Sequence, residues 1–194
     1  MAQTDHYVVV NKPAGLDCQN SKPGRPSVVE WLESKYGFSG LVHRLDFNTS
    51  GLMLIARTKE EAATLTKLLQ SGNVKKTYFA VVLGGQNLTD QGVFDAPIEG
   101  AHAVSHYKVL ERFRNAAALE VTIETGRKHQ IRRHCSDAGV PILGDHLYGK
   151  KGAKLLFTRP ALHAWRLSVE SRAFEAPIAS DILALLNRLR TKQP

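Results

Sequence analysis

The sequence predicts a fold of the α+β class, and three observations predict it. Short β-branched or aromatic runs, Tyr7-Val8-Val9-Val10, Leu52-Met53-Leu54-Ile55-Ala56 and Tyr78-Phe79-Ala80-Val81-Val82-Leu83, have the length and composition of buried strands. Residues 107–113 and 117–124 bracket the polar tip Arg114-Asn115, as the arms of an antiparallel hairpin do. Ser27-x-x-Glu30 and Thr58-x-x-Glu61 have the spacing of capping boxes, in which the hydroxyl accepts from the third helical N–H and the carboxylate reaches back.

Composition bounds the function. The 194 residues, 43% hydrophobic and 23% charged, suit one globular domain, or one with a small lobe. With 26 Lys+Arg against 18 Asp+Glu the net charge is +8, which favours a polyanionic partner, nucleic acid first. Charge alone does not separate RNA from DNA or from an acidic membrane surface. Cys18 and Cys135 have no CxxC spacing, which suits a reducing cytosol and two unreactive thiols. The N-terminus lacks a basic and apolar leader, and no window nears the roughly eighteen apolar residues of a spanning helix. A soluble, cytoplasmic protein is expected.

In chain order, the strand at Tyr7 ends in the turn Asn11-Lys12-Pro13-Ala14-Gly15-Leu16, and residues 17–26, with Pro23-Gly24-Arg25-Pro26, form a loop. The helix opened by Ser27 runs to about Tyr36 and stops at Gly37. Leu41-Val42-His43-Arg44-Leu45-Asp46-Phe47-Asn48-Thr49-Ser50-Gly51 then places one carboxylate beside an arginine ahead of a buried strand. Extended backbone at 43–46 puts Arg44 and Asp46 on one face, His43 and Leu45 on the other. Taken alone, that is a surface ion pair. The helix after Thr58 turns Ala62, Leu65, Leu68 and Leu69 to the sheet and stops at Gly72. On its residues alone, Tyr78 is a half-buried strand tyrosine.

Residues 85–103 carry little pattern beyond Phe94-Asp95-Ala96-Pro97-Ile98. The second hairpin arm runs into Thr125-Gly126-Arg127-Lys128-His129-Gln130-Ile131-Arg132-Arg133-His134. Gly126 allows a tight turn and the following residues begin a helix whose free N–H groups attract phosphate. Ile131, Cys135 and Ala138 face the core at helical spacing, with the basic residues on the flanks. His129 and His134 are five apart, not the i, i+4 pair a helix offers zinc, and neither an HExxH nor a cysteine cluster accompanies His43 or His163, so no metal is expected. Leu155-Leu156-Phe157 to Leu167 is a closing strand region. Ser180 caps a last helix with Ile182, Leu185, Leu186 and Leu189 on one face and Arg188, Arg190 and Lys192 near its negative end.

Several of these stretches resemble the RluA family of RNA pseudouridine synthases. His43-Arg44-Leu45-Asp46 with Thr49-Ser50-Gly51-Leu52 is similar to its H-R-L-D-x-x-T-S-G-L motif, and Val9 to Gly15 to its V-V-x-K-P-A-G opening. Lys76-Thr77-Tyr78-Phe79-Ala80 is similar to K-x-Y-x-A, and Thr125 to His134 to T-G-R-x-H-Q-I-R-x-H. Gly139 to Gly149 resembles G-x-P-I-x-G-D-x-x-Y-G, and Leu162-His163-Ala164 the closing L-H-A-x-x-L strand. Lys128 departs from the usual small hydroxyl residue, Arg133 adds charge, and the region before Pro177 lacks the common His-Pro.

The resemblance covers about residues 7–167 and implies a bent, mostly antiparallel central sheet flanked by helices, in a single catalytic domain over 1–194 with no S4-type RNA-binding domain upstream. It implies a monomeric isomerase that turns uridine of ribosomal or transfer RNA into pseudouridine by base flipping, without cofactor. Asp46 is the implied catalytic carboxylate and Tyr78 lies against the base. An arginine pairs with Asp46: Arg132 by its position in the helix, Arg127 as the less favoured candidate. His43, Arg44, Thr49, Arg127, His129, Gln130 and Leu162 are the implied substrate-binding set, with Arg44 suited to fill the vacated base stack. The other classes to weigh are an idle basic RNA-binding protein and a hydrolase releasing uracil.

Overall fold

A computed structural model describes residues 2–4, 6–19, 24–38, 40–149 and 157–191; Pro23, Leu155, Leu156 and Lys192, named above, lie outside them. In chain order the elements are β1 (Ala2–Gln3), β2 (Tyr7–Lys12), α1 (Val28–Tyr36), β3 (Gly40–Leu41), β4 (Ser50–Ala56), α2 (Lys59–Gln70) and β5 (Val74–Leu83). Then come β6 (Gln91–Phe94), β7 (Ser105–Phe113), β8 (Ala116–Ile123), α3 (Gln130–Asp137), β9 (Leu162–Val169), β10 (Arg172–Glu175) and α4 (Ser180–Arg190). The class is α+β. The backbone divides into two compact units, Met1–Lys75 with Ala164–Ala176, and Lys76–His163 with Pro177–Pro194.

In the first unit the strand order is β1-β2-β4-β9, with β3 on β4 and β10 on β9. β2 runs antiparallel to β4 with Val9 opposite Leu54, and all seven residues of β4 are buried. Tyr7, Val9, Leu52, Leu54, Leu65, Val74, Leu167 and Val169 make its core, and Ala62, Leu68 and Leu69 of α2 pack against them, as the helical spacing predicts. Ser27 and Glu30 form both halves of the capping box and Gly37 ends α1 in the left-handed region, φ 69. The box at Thr58 is half made. Thr58 Oγ1 accepts from Glu61 N at 3.3 Å, but the Glu61 carboxylate meets His6 Nδ1 at 2.9 Å.

In the second unit the order is β5-β8-β7-β6. β7 and β8 form the predicted hairpin, closed by Phe113 opposite Ala116, with a bulge between Val109 and Glu111 that leaves Leu110 exposed. β6 and β10 are strands that the sequence pattern does not place. Ser180 is the first residue of α4 rather than its cap, because Ala179 holds the N-cap position. Ile182, Leu185 and Leu186 are buried and Leu189 partly so. Arg190 leaves the helix end to grip Glu111 through two bonds of 2.8 and 2.6 Å.

Candidate active site

In the first unit Asp46 opens a turn. Its carbonyl accepts from Thr49 N at 3.0 Å, and β4 follows from Ser50. The turn is held from below by Lys12, only 2% exposed, whose Nζ donates to the carbonyls of Pro13 (3.0 Å), Leu16 (2.9 Å) and Phe47 (3.2 Å). Gly15 N also donates to Phe47 O, at 2.9 Å. The preceding residue is pinned in both directions, since Cys18 Sγ donates to Leu45 O at 3.1 Å and accepts from Leu45 N at 3.4 Å. Burial pushes the Cys18 thiol above its ordinary pKa and keeps it protonated, as that donor role requires. A half-buried carboxylate thus sits on backbone fixed on both sides.

The expected substrate-binding residues nearby differ in exposure. Arg44 is exposed and makes no hydrogen bond or ion pair among the described residues. Thr49 is buried, and its hydroxyl has no hydrogen-bond partner among the described residues. His43 serves the sheet directly, because its Nε2 accepts from Leu54 N at 2.8 Å and so continues on β4 the pairing that β3 makes with Ile55 and Ala56. The acceptor role fixes the tautomer with the proton on Nδ1. Gly40 is required there, because a Cβ would collide with Ala56 O.

In the second unit Tyr78 is a buried residue of β5, opposite Val121 of β8. The other edge of β5 is stitched to residues 141–143, with Leu83 N donating to Pro141 O and Leu143 N to Val81 O, both at 2.9 Å. Gly144 follows at φ +75, where a Cβ would run into Arg159 O, and it delivers Asp145 into the interior. Asp145 is 0% exposed and accepts four hydrogen bonds. Arg132 Nε reaches Oδ2 at 2.7 Å and Nη2 reaches Oδ1 at 2.9 Å, while Leu147 N and Tyr148 N donate to Oδ1 at 2.9 and 3.0 Å. Burial raises the Asp145 pKa, but the Arg132 and backbone hydrogen bonds outweigh it and leave the group below its ordinary value. The Tyr148 ring lies 5.2 Å from the Arg132 guanidinium carbon, and its hydroxyl meets His129 Nδ1 at 3.0 Å. His129, Arg132, Asp145 and Tyr148 are thereby brought together. The sequence pattern assigns no role to the last two, although a lone carboxylate after the apolar run Val140-Pro141-Ile142-Leu143 is a signal of a buried charge needing a partner.

The helix after Gly126 departs from expectation. It starts at Gln130, not directly after the glycine, and its N-cap His129 is left-handed at φ 56. Gln130 is the cause. Its Oε1 accepts from Thr125 Oγ1 (2.7 Å) and Arg127 N (3.0 Å), while Nε2 donates to Val104 O (2.9 Å) and Ser105 Oγ (3.0 Å). All four hydrogen-bonding places of this amide are used inside the unit, and the Arg127 N–H, the first after Gly126, is taken up by it too. Arg132 and His134 are buried instead of flanking, and Ala138 is exposed at the helix end instead of facing the core; Ile131 and Cys135 are buried as predicted. His134 Nε2 donates to Ala96 O at 2.9 Å, so Nδ1 accepts from the Ser105 hydroxyl at 3.0 Å and both ring nitrogens are occupied. Burial first, then the Asp145 charge, pushes the Cys135 thiol up to about 12. Arg127 is exposed, its Nε on His102 O at 3.0 Å, and Leu162 is buried at the start of β9. Among the described residues no cluster of His, Cys, Asp and Glu could hold a metal, and no helix is long and apolar enough to cross a membrane.

The family model described as RNA pseudouridylate synthase matches residues 6–137. The chain belongs to the RNA pseudouridylate synthase family. It is 35% identical over 225 residues to the ribosomal large subunit pseudouridine synthase D of Nitrosomonas europaea, covering 97% of this chain but 64% of that relative's length. It is 37% identical over 201 residues to the dual-specificity RNA pseudouridine synthase RluA of Pasteurella multocida, covering 93% of this chain and 88% of that one. These relatives place it with the RluA group. Human RNA pseudouridylate synthase domain containing 4 superposes with a TM-score of 0.83 at 26% identity, over 97% of this chain and 92% of that chain. The fold is therefore the pseudouridine synthase fold.

Proposed function

We propose that this chain is an RNA pseudouridine synthase acting on one or more uridines of ribosomal or transfer RNA, with the whole chain as a single, monomeric, cytoplasmic catalytic domain. The observation that carries the reading is Asp46, a half-buried carboxylate in the family-matched segment, on a turn locked by Lys12 and Cys18. In the reaction the N1–C1′ bond breaks, the freed base turns, and a C5–C1′ bond forms; C5 gives up its proton and N1 gains one. No group is added or oxidised, so no cofactor is consumed.

Asp46 supplies the carboxylate, by attack at C1′ or C6 or by taking the C2′ proton. Arg132 is the countercharge to Asp46, and Tyr78 packs against the flipped base. Arg44, exposed and without an internal partner among the described residues, has the planar cation needed to fill the stack the base leaves. The net charge of +8 supports an RNA partner. The test is to incubate the protein with unmodified ribosomal and transfer RNA. Pseudouridine at unchanged RNA mass is expected; released uracil would make it a hydrolase, and bound but unmodified RNA an idle binder.

A further inference from the structure

We propose that Asp145 and Tyr148 are positioning residues that fix the plane of the Arg132 guanidinium. This rests on the reading of Arg132 as the countercharge to the reacting carboxylate. An arginine has five N–H donors along two edges. Asp145 takes one from Nε and one from Nη2, at 2.7 and 2.9 Å, and so engages the side edge only. The end edge, made by Nη1 and the second Nη2 hydrogen, lies outside that pair. Its direction is set by the pair's geometry, because two parallel bonds to one carboxylate fix the guanidinium plane.

The supports of this pair are themselves rigid. Asp145 Oδ1 is held by the Leu147 and Tyr148 amides, and the segment before it is bonded to β5 through Val81 and Leu83. The Arg132 guanidinium carbon lies over the Tyr148 ring, and Tyr148 is anchored by His129 at its hydroxyl and by Ser136 Oγ at its carbonyl, 2.9 Å away. A buried ion pair is a poor device for stability alone, since a well-packed apolar pair serves as well or better. A long, flexible cation that must meet a reacting group in one orientation has a use for it.

Asp145→Asn is the first test. The amide presents N–H groups where Arg132 also donates, so the guanidinium turns away; kcat is expected to fall about thirtyfold or more with RNA affinity within about twofold of the parent. In an Arg132→Ala background the same substitution should change the residual kcat by less than about threefold, because its effect runs through Arg132. An equal loss in both backgrounds would mark Asp145 as a general structural residue and overturn the proposal. Parental kcat in Asp145→Asn with a crippled Arg132→Ala overturns the proposal and leaves the Arg132 reading standing. Parental kcat in Arg132→Ala overturns both. Should Asp145→Asn not fold, Tyr148 decides. Tyr148→Leu at this partly exposed position should lose about tenfold in kcat, and Tyr148→Phe, which keeps the ring, should recover to within about threefold. Parental kcat in Tyr148→Leu overturns the proposal.

Discussion

Lys12→Met removes a buried ammonium while keeping an unbranched side chain of similar length. Lys12 Nζ donates to three carbonyls, and the substitution affects them unequally. Phe47 O keeps the Gly15 amide, whereas Pro13 O and Leu16 O have no other donor among the described residues. Hydrogen bonds to a charged group contribute about 1.5–3 kcal/mol each, and the loss is reduced because the methionine no longer has to be desolvated as an ion. A net cost of about 2–4 kcal/mol follows, which for a chain of this size lowers Tm by roughly 5–15 °C. Thermal unfolding followed by circular dichroism at neutral pH measures it. Because one of the bonds holds the turn that carries Asp46, turnover at a temperature where both proteins are folded should fall as well. A Tm within a degree or so of the parent would show that the three carbonyls do not depend on Lys12 and that the turn is held by other contacts.

Further outcomes follow from the charges. Burial first, then the positive charge of Arg159, lowers the His163 pKa to about 4. The unfolded residue binds a proton near pH 6.5 that the folded protein refuses, so stability is full above about pH 6.5 and falls as pH drops toward 4, by up to about 1.4 kcal/mol per pH unit. Urea unfolding between pH 7.5 and 4.5 should show this slope reduced in His163→Gln; equal slopes would contradict it. Arg44→Ala should leave stability within about 0.5 kcal/mol and slow turnover more on a structured RNA than on a short flexible one; equal losses would mean that Arg44 only meets phosphate. RNA affinity should fall roughly tenfold or more between low and physiological salt, and a flat response in a filter-binding titration would contradict the electrostatic account.

What the sequence made legible was what local chemistry decides. The Ser27–Glu30 box, the Gly37 stop and the Arg114-Asn115 hairpin tip are each set within a few residues, and each is found. Where distant groups compete, the structure departs from the local pattern. Glu61 leaves its box for His6, and Gln130 delays α3 by bonding to Thr125, Val104 and Ser105. Asp181 beside Ser180 is taken up by Arg159 at 2.7 Å, and the helix there begins without a side-chain cap. β6 is hidden in the sequence because its four residues carry no apolar run, and Gly92 is there only because the Tyr107 ring occupies the space of a Cβ. At the candidate site, the family resemblance points to Asp46 and Arg132, while residue types and spacing alone give no role to Asp145, whose partner lies 13 positions away and is met only once Gly144 has turned the chain inward.

The most direct test of the central claim is the pseudouridine yield of Asp46→Asn. The amide keeps the shape and most of the packing of the turn but removes the charge, so the carboxylate proposed to react is lost while the proposed RNA-binding residues remain. The protein should bind RNA with near-parental affinity, melt near the parental temperature and form no detectable pseudouridine at any pH. Measurable turnover by Asp46→Asn, with deamidation to aspartate excluded by mass spectrometry, would place the chemistry elsewhere in the chain.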